Sequence, residues 1–488
     1  MTSIPPADGP EAGGNSAAVL RNRPFLLLWL AQVATQIGGN MVLYGLTVIV
    51  YEATNSSAAV SALFLTFLVP AVLLSAVAGV YVDRLDRRTI LVITNVVRAG
   101  AFVLIFLAGP NLAAILVLNI FVSVVTVFFA PAEAAMIPAL VPRPQLVAAN
   151  GLFTLTLNGA FALGFALLGP LVVRIAGPEL MLLLVVVLYV IAAVFCFTLP
   201  NSPPVPSGIR RGRLESVADA ELAVEGTLAQ LREGIVYIRN NPAIGWSLFY
   251  LGIAASLIGV IGVLGPDFAK DTLGLGPRDL LVVVLPLGFG IVTGILVLNR
   301  YGVYVSRRRA IEGGLIALGF LLVVLTVAGP ISRFLTAASA RAGVVDTGAL
   351  TSLVMVVVAI GFLAGIAYGV VAISSQTQLQ EDIPHDVRGR VFGVLNMLVS
   401  VSSFLPIIIV GPIAEVAGTT PVILVVAAFI FLSGLTSIIR RGPLNPHESL
   451  ATAETRVPGI AVDSIGVAIR TEARDQDRSD DPHDHDLR

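Results

Sequence analysis

The sequence predicts an all-α, polytopic membrane protein with twelve transmembrane helices arranged as two six-helix bundles. Three observations predict it. A soluble chain carries about 25% charged residues, whereas this one of 488 has 12%, with 56% hydrophobic residues and a mean hydropathy of +0.91. The apolar residues come in long runs, and Leu180–Leu199 and Ile408–Ile439 hold at most one charge each. About 20 such residues cross a bilayer. The chain also repeats itself. Gly79-Val80-Tyr81-Val82, followed by Asp83-Arg84, returns 223 positions later as Gly302-Val303-Tyr304-Val305, followed by Ser306-Arg307. A second landmark set agrees: Pro142, Gly151 and Gly169-Pro170 match Pro384, Gly393 and Gly411-Pro412 at identical spacings of 9 and 18 residues. One ancestral membrane unit has been written twice, as is common in membrane transport proteins.

Residues 1–24 are rich in Pro, Gly, Ala and Ser, with no apolar core of a signal peptide, and are expected to be a disordered cytosolic leader. Gly, Pro and Arg punctuate spans near 25–51, 57–81, 90–109, 112–136, 148–174 and 178–199, the first bundle (25–199). A linker, 200–242, opens Asn201-Ser202-Pro203-Pro204 and then places Val217, Val224, Leu231 and Ile238 seven residues apart. That stripe predicts an amphipathic helix, lying on the cytosolic membrane surface or packed beneath the bundles. The second bundle (243–441) holds spans near 244–266, 279–299, 309–329, 350–374, 391–414 and 419–439, with 330–349 a long outer loop. The tail, 442–488, is polar and ends in an Asp/His run. It is expected to be solvated and disordered, a metal-binding role being the less favoured alternative.

Basic residues orient the spans. With the N-terminus inside, cytosolic segments up to Arg441 hold 19 arginines, and the opposite side holds five basic residues, Arg174, Lys270, Arg278, Arg333 and Arg341. Both termini are therefore expected in the cytosol of a cell-membrane protein.

Several chemistries are excluded. The single lysine, Lys270, precedes Asp271, so no GxxxxGK[ST] phosphate loop exists. No GxSxG turn occurs, and His385, His447, His483 and His485 all lie outside the spans. The lone Cys196 leaves no internal disulfide. Neither an enzyme nor a nucleic-acid partner is expected, and no cofactor. Energy would come from an ion gradient, and the chain is expected to be monomeric.

Gly79-x-x-x-Asp83-Arg84-x-x-Arg87-Arg88, between spans two and three, resembles the signature loop of the major facilitator superfamily, with Asp86 where that family usually has Gly. The Asp-Arg-Leu-Asp-Arg-Arg variant resembles the branch of macrolide-efflux proteins and the enterobactin exporter. So do Pro131-Ala-x-x-Ala135-x-Ile137-Pro138-x-Leu140-Val141-Pro142 and Gln376-x-x-x-Gln380-x-x-x-Pro384 running into Arg388-Gly389-Arg390-Val391-Phe392-Gly393. The resemblance covers roughly 20–440. It implies alternating access between two bundles, export of amphiphilic organic compounds and proton antiport. It also implies a cytosolic latch at this loop. Gly79 permits close helix approach. Asp83 faces the start of span eleven, where a helix N-terminus attracts a carboxylate by about 0.3–1 kcal/mol and Arg388 or Arg390 adds an ion pair. Purely topogenic charge is the alternative. Ser306 replaces the acid in the second copy, so the latch is expected to be one-sided.

The resemblance further implies that spans one, four, seven and ten line the cavity. Gln32, Gln36 and Asn40 share one side of span one, and Asn119, Ser123 and Thr126 one side of span four. Tyr250 and Tyr368 are weaker echoes on spans seven and ten. Cavity lining and helix-to-helix glue are the two readings of these groups. Arg98 and Glu133 are charges inside spans, which are expensive and usually functional. Arg98 would pair with loop carboxylates or bind carbonyls. Glu133 would carry a proton, or else meet water and a loop arginine. Asp267 closes span seven and is expected to be a solvated cap. Gly164-x-x-x-x-Gly169-Pro170 on span five resembles the family's exporter motif. An importer of small anionic metabolites would need a basic residue midway along the cavity spans, and none is there. A non-transporting sensor or scaffold finds support only in the tail.

Overall fold

In lipid every backbone N–H and C=O must be satisfied within its own segment, so spans become helices. The computed structural model describes residues 19–82, 85–201, 236, 238–274, 276–302, 305–341, 352–382 and 406–441, and these are helical with short turns between. The first half comprises α1 (Arg23–Thr54), α2 (Ser57–Val82), α3 (Arg87–Ala108), α4 (Leu112–Leu140), α5 (Leu146–Phe161) and α6 (Gly169–Phe197). The second comprises α7 (Pro242–Leu273), α8 (Leu281–Tyr301), α9 (Arg307–Thr326), α10 (Ala328–Arg341), α11 (Leu353–Asp382), α12 (Pro406–Ala417) and α13 (Thr419–Arg441). Gly177, at φ 85° and ψ 160°, breaks α6 and separates spans five and six.

Local chemistry sets the boundaries. Asn22 caps α1 through Phe25 N, and Asn111 caps α4 through Ala114 N at 3.0 Å. Asp86, the departure from the family loop, caps α3 through Thr89 N at 3.0 Å. Ser306 caps α9 through Arg309 N at 3.4 Å. A side-chain oxygen at this position satisfies one of the free N–H groups that open a helix.

The repeat is visible in packing. In the first half the second helix packs on the fourth, and the third on the fourth and sixth; in the second half α8 packs on α11, and α9 on α11 and α13. One expectation fails. The segment read as outer loop 330–349 is helical over Ala328–Arg341, because a proline in the first helical turn lacks only an N–H that would be unpaired anyway. The leader up to residue 18, most of the linker, 383–405 and the tail lie outside the described residues.

Span five is bent by its Gly-Pro pair. Pro170 has no N–H to give, and Ala162–Leu168 relaxes into a π turn. The bend presses span five onto α1. A Cβ on Gly164 would stand 2.7 Å from the Ile37 carbonyl oxygen and 2.8 Å from Asn40 Cβ. Neither is the far end of a flexible chain. Gly164→Val is therefore expected to cost about 1–3 kcal/mol and to lower the midpoint of thermal unfolding in detergent. An unchanged midpoint would mean the two helices separate freely.

Candidate functional site

Among the described residues, polar contacts between the two halves gather at one end of the bundle, the end carrying the turns at 54–57, 274–280 and 418. It is the expected outer face. Tyr51 OH and Ser57 Oγ, from the α1–α2 turn, both donate to the Asp267 carboxylate on α7. Ser56 Oγ and Ala58 N donate to Glu415 on α12, the latter at 3.1 Å. Lys270 Nζ donates to Asn55 Oδ1 at 3.1 Å, and Arg174 pairs with Asp279 at 2.8 Å across more exposed ground. Packing is tight here. A Cβ on Gly411 of α12 would stand 2.1 Å from Ser61 Oγ and 2.6 Å from the Ser57 carbonyl. Asp267 is thus not the solvated cap expected. Sequence reasoning missed Tyr51, Ser56, Ser57 and Glu415. Their signal was an acid at the outer end of α7 and of α12, facing a hydroxyl-rich turn on the other half.

The residues expected to line a cavity are distributed otherwise. Asn119 Nδ2 donates to Thr66 Oγ1 at 2.9 Å and Ser123 Oγ to the Phe67 carbonyl at 2.5 Å. Both tie α4 to α2, the glue reading. Thr126 bonds back to the Val122 carbonyl. Tyr250 is fully buried inside the second half, bonded to Ser437. Ser437 in turn donates to Glu312 at 2.6 Å, and Arg308 Nε donates to the same oxygen at 2.9 Å. Tyr368 is buried in the same core. On α1, Gln32 is 1% exposed and reaches the Phe153 carbonyl of α5 at 3.5 Å, while its Oε1 has no partner. Asn40 Nδ2 donates to the Gln36 carbonyl at 2.8 Å, and both residues are half-buried.

The intramembrane charges lie together within the first half. Arg98, 3% exposed, stacks over the Phe129 and Tyr189 rings at 4.4 and 4.7 Å, and donates to Asn95 Oδ1 at 2.7 Å and the Thr94 carbonyl at 3.2 Å. It holds carbonyl and amide rather than loop carboxylates. Glu133 lies within electrostatic reach of Arg98, is 6% exposed, and its Oε1 has no hydrogen-bond partner. Burial removes the expected water contact.

Of the signature loop, Gly79 sits in the last turn of α2. Arg87 Nη1 donates to the Ala135 carbonyl at 3.4 Å. Arg88 donates to Asn201 and to the Phe197 carbonyl and lies over the Phe197 ring. These contacts hold Arg87 and Arg88 to their own half. Asp83, Arg84, Arg388 and Arg390 lie outside the described residues. Among the described residues no cluster of three or more His, Cys, Asp or Glu could hold a metal.

Two repeated bundles of membrane helices, with polar contacts between them at one end among the described residues, define the class of membrane transporters. The Major Facilitator Superfamily family model matches residues 28–407. The chain belongs to that superfamily. It is a multi-pass membrane transporter of small substrates, and transporters of this superfamily need no cofactor and are generally driven by ion gradients. The multidrug efflux pump Tap of Mycolicibacterium fortuitum is 24% identical over 85% of this chain and 95% of its own. An uncharacterized MFS-type transporter of Bacillus subtilis, YfiS, is 23% identical over 90% and 98%. Among solved structures, the nucleoside transporter NupG superposes with TM-score 0.58 at 13% identity, over 86% of this chain and 100% of that one. The POT family transporter PepTSo gives 0.58 at 12%, over 89% and 99%. These last two likenesses concern fold alone.

Hydrogen bonds to a charged group are worth about 1.5–3 kcal/mol each, so Asp267→Ala is expected to loosen the seal. A cysteine placed at Ser61, in detergent-purified protein, should react with a bulky water-soluble maleimide about tenfold faster when Asp267 is Ala. Equal rates would show that packing alone closes this end.

Proposed function

We propose that this chain exports amphiphilic organic compounds, such as drugs or secondary metabolites, by proton-driven alternating access. The observation that carries the direction is the near full-length likeness to a multidrug efflux pump. The sequence agrees, because the middles of spans one, four, seven and ten carry no basic residue that an importer of small anions would need. In this reading both termini are cytosolic, residues 25–199 and 243–441 move as two bodies, and the state described is closed outside. The test is accumulation of a panel of fluorescent amphiphiles in cells with and without the protein, before and after the proton gradient is collapsed. Lower accumulation that disappears on collapse supports the reading; no difference across the panel removes it.

In the same proposal Asp83 meets the start of span eleven, near Arg388 and Arg390, when the outer end opens. Asp83→Ala is then expected to lower efflux several-fold while expression stays normal. Full efflux by a well-expressed variant would make the latch dispensable.

Glu133 is proposed as the proton carrier. It is the buried carboxylate of the first half with an unmatched oxygen, and Arg98 beside it offers the partner for its charged form. Glu133→Gln is expected to keep substrate exchange down a substrate gradient and to lose its response to an imposed proton gradient. A variant still driven by that gradient would move the coupling site elsewhere.

A further inference from the structure

We propose a second ligand site: the crevice where α8, α9 and α11 meet binds a phosphate-type anion. The duplicated loop supplies the first argument. The first copy sets Asp83 among its arginines, but the second has Ser306 followed by Arg307, Arg308 and Arg309, with no acid in the loop. Arg308 is matched by buried Glu312 at 2.9 Å. Arg307 lines a crevice of about 240 Å³ together with Asn299, Ser374 and Thr377.

The second argument is an unmet donor. Ser374 is 1% exposed, and its hydroxyl has no hydrogen-bond partner. Hydroxyls in apolar helices ordinarily bond back to the preceding turn, as Thr377 does to the Ile373 carbonyl at 2.7 Å. Ser374 does not, and it borders this crevice. Ser375 Oγ, on the next residue of α11, is likewise buried without a partner. An unpaired buried polar group costs about 1–3 kcal/mol, which a bound oxyanion would recover.

The third argument is the field. Twenty-residue α9 begins at Arg307, and the partial positive charge of a helix N-terminus favours anions. A water needs about 10–15 Å³ on this volume measure, so a tetrahedral oxyanion fits with its waters. Guanidinium, amide and hydroxyl donors together suit phosphate. The phosphate would come from an inner-leaflet phospholipid headgroup or from free inorganic phosphate, and both share this chemistry.

The test uses the full-length protein purified in detergent, with thermal unfolding and native mass spectrometry in the presence of inorganic phosphate, short-chain phosphatidylglycerol or phosphate-free diacylglycerol. The wild type should be stabilised by a phosphate-bearing probe and retain one adduct. Arg307→Gln and the conservative Ser374→Ala should each weaken this about tenfold, and Arg309→Gln should not. Protection by both probes supports the shared chemistry, and protection by phosphatidylglycerol alone assigns a lipid headgroup. Diacylglycerol protecting equally well, or Ser374→Ala binding like the wild type, would overturn the site.

Discussion

One carboxylate shared by two hydroxyls of the opposite half, Asp267 with Tyr51 and Ser57, ties the halves together at this end, and the alternating access proposed above depends on it. The contact has to hold one end shut and still be broken in every cycle. Two hydrogen bonds to a charged acceptor contribute about 1.5–3 kcal/mol each. Moving a two-state equilibrium from 1:99 to 99:1 takes about 5.5 kcal/mol. The seal is therefore of the size that ligand binding can reverse. The exposed Arg174–Asp279 pair adds little, since surface ion pairs are worth about 0–1 kcal/mol. Hydroxyl donors suit this place better than a buried arginine would, because a fully desolvated ion pair costs several kcal/mol to break.

Inside each half the polar contacts tie helix to helix, as the proposed motion of each half as one body requires. Asn119 and Ser123 bind α4 to α2, and Trp29 Nε1 binds α1 to Thr156 of α5 at 2.8 Å. The second half does the same with a chain from Arg308 through Glu312 and Ser437 to Tyr250, linking α9, α13 and α7. The two halves descend from one unit but treat their buried charge differently. In the second, the carboxylate accepts from both a guanidinium and a hydroxyl. In the first, Arg98 leans on aromatic rings and neighbouring carbonyl groups, and Glu133 keeps an oxygen unmatched. The duplicated fold thus satisfies a buried carboxylate in one copy and leaves one with an unpartnered oxygen in the other.

Much of this was legible in the sequence. The apolar runs fixed the crossings, the break at Gly177 fell between two expected spans, and the Gly-Pro pair marked a bend. The failures share a cause. Spacing of 3.6 residues per turn puts Asn119, Ser123 and Thr126 on one face but says nothing of which neighbour that face meets. Tyr250 failed in the same way. Asp267 looked solvated because its partners lie more than 200 residues away in the chain, and a hydroxyl-rich turn resembles any other turn. The helix at Ala328–Arg341 was hidden by Gly329-Pro330, read as a stop although proline is tolerated in a first turn.

The signature loop shows how a departure from a family pattern acquires a physical meaning. Asp86 replaces a glycine, and its side chain caps α3. In the second copy Ser306 does the capping, and it occupies the position of Asp83, not of Asp86. The helix after the loop thus begins three residues earlier in the repeat register, at Arg307 where the first copy has Arg84. That shift draws the first arginine of the second loop into a helical turn, beside the crevice with α8 and α11. The second loop also carries no carboxylate, because Ser306 and Arg309 stand where the first copy has Asp83 and Asp86. The one-sided latch and the basic crevice proposed above then both trace to this loop, where Ser306 replaces Asp83 and caps the helix.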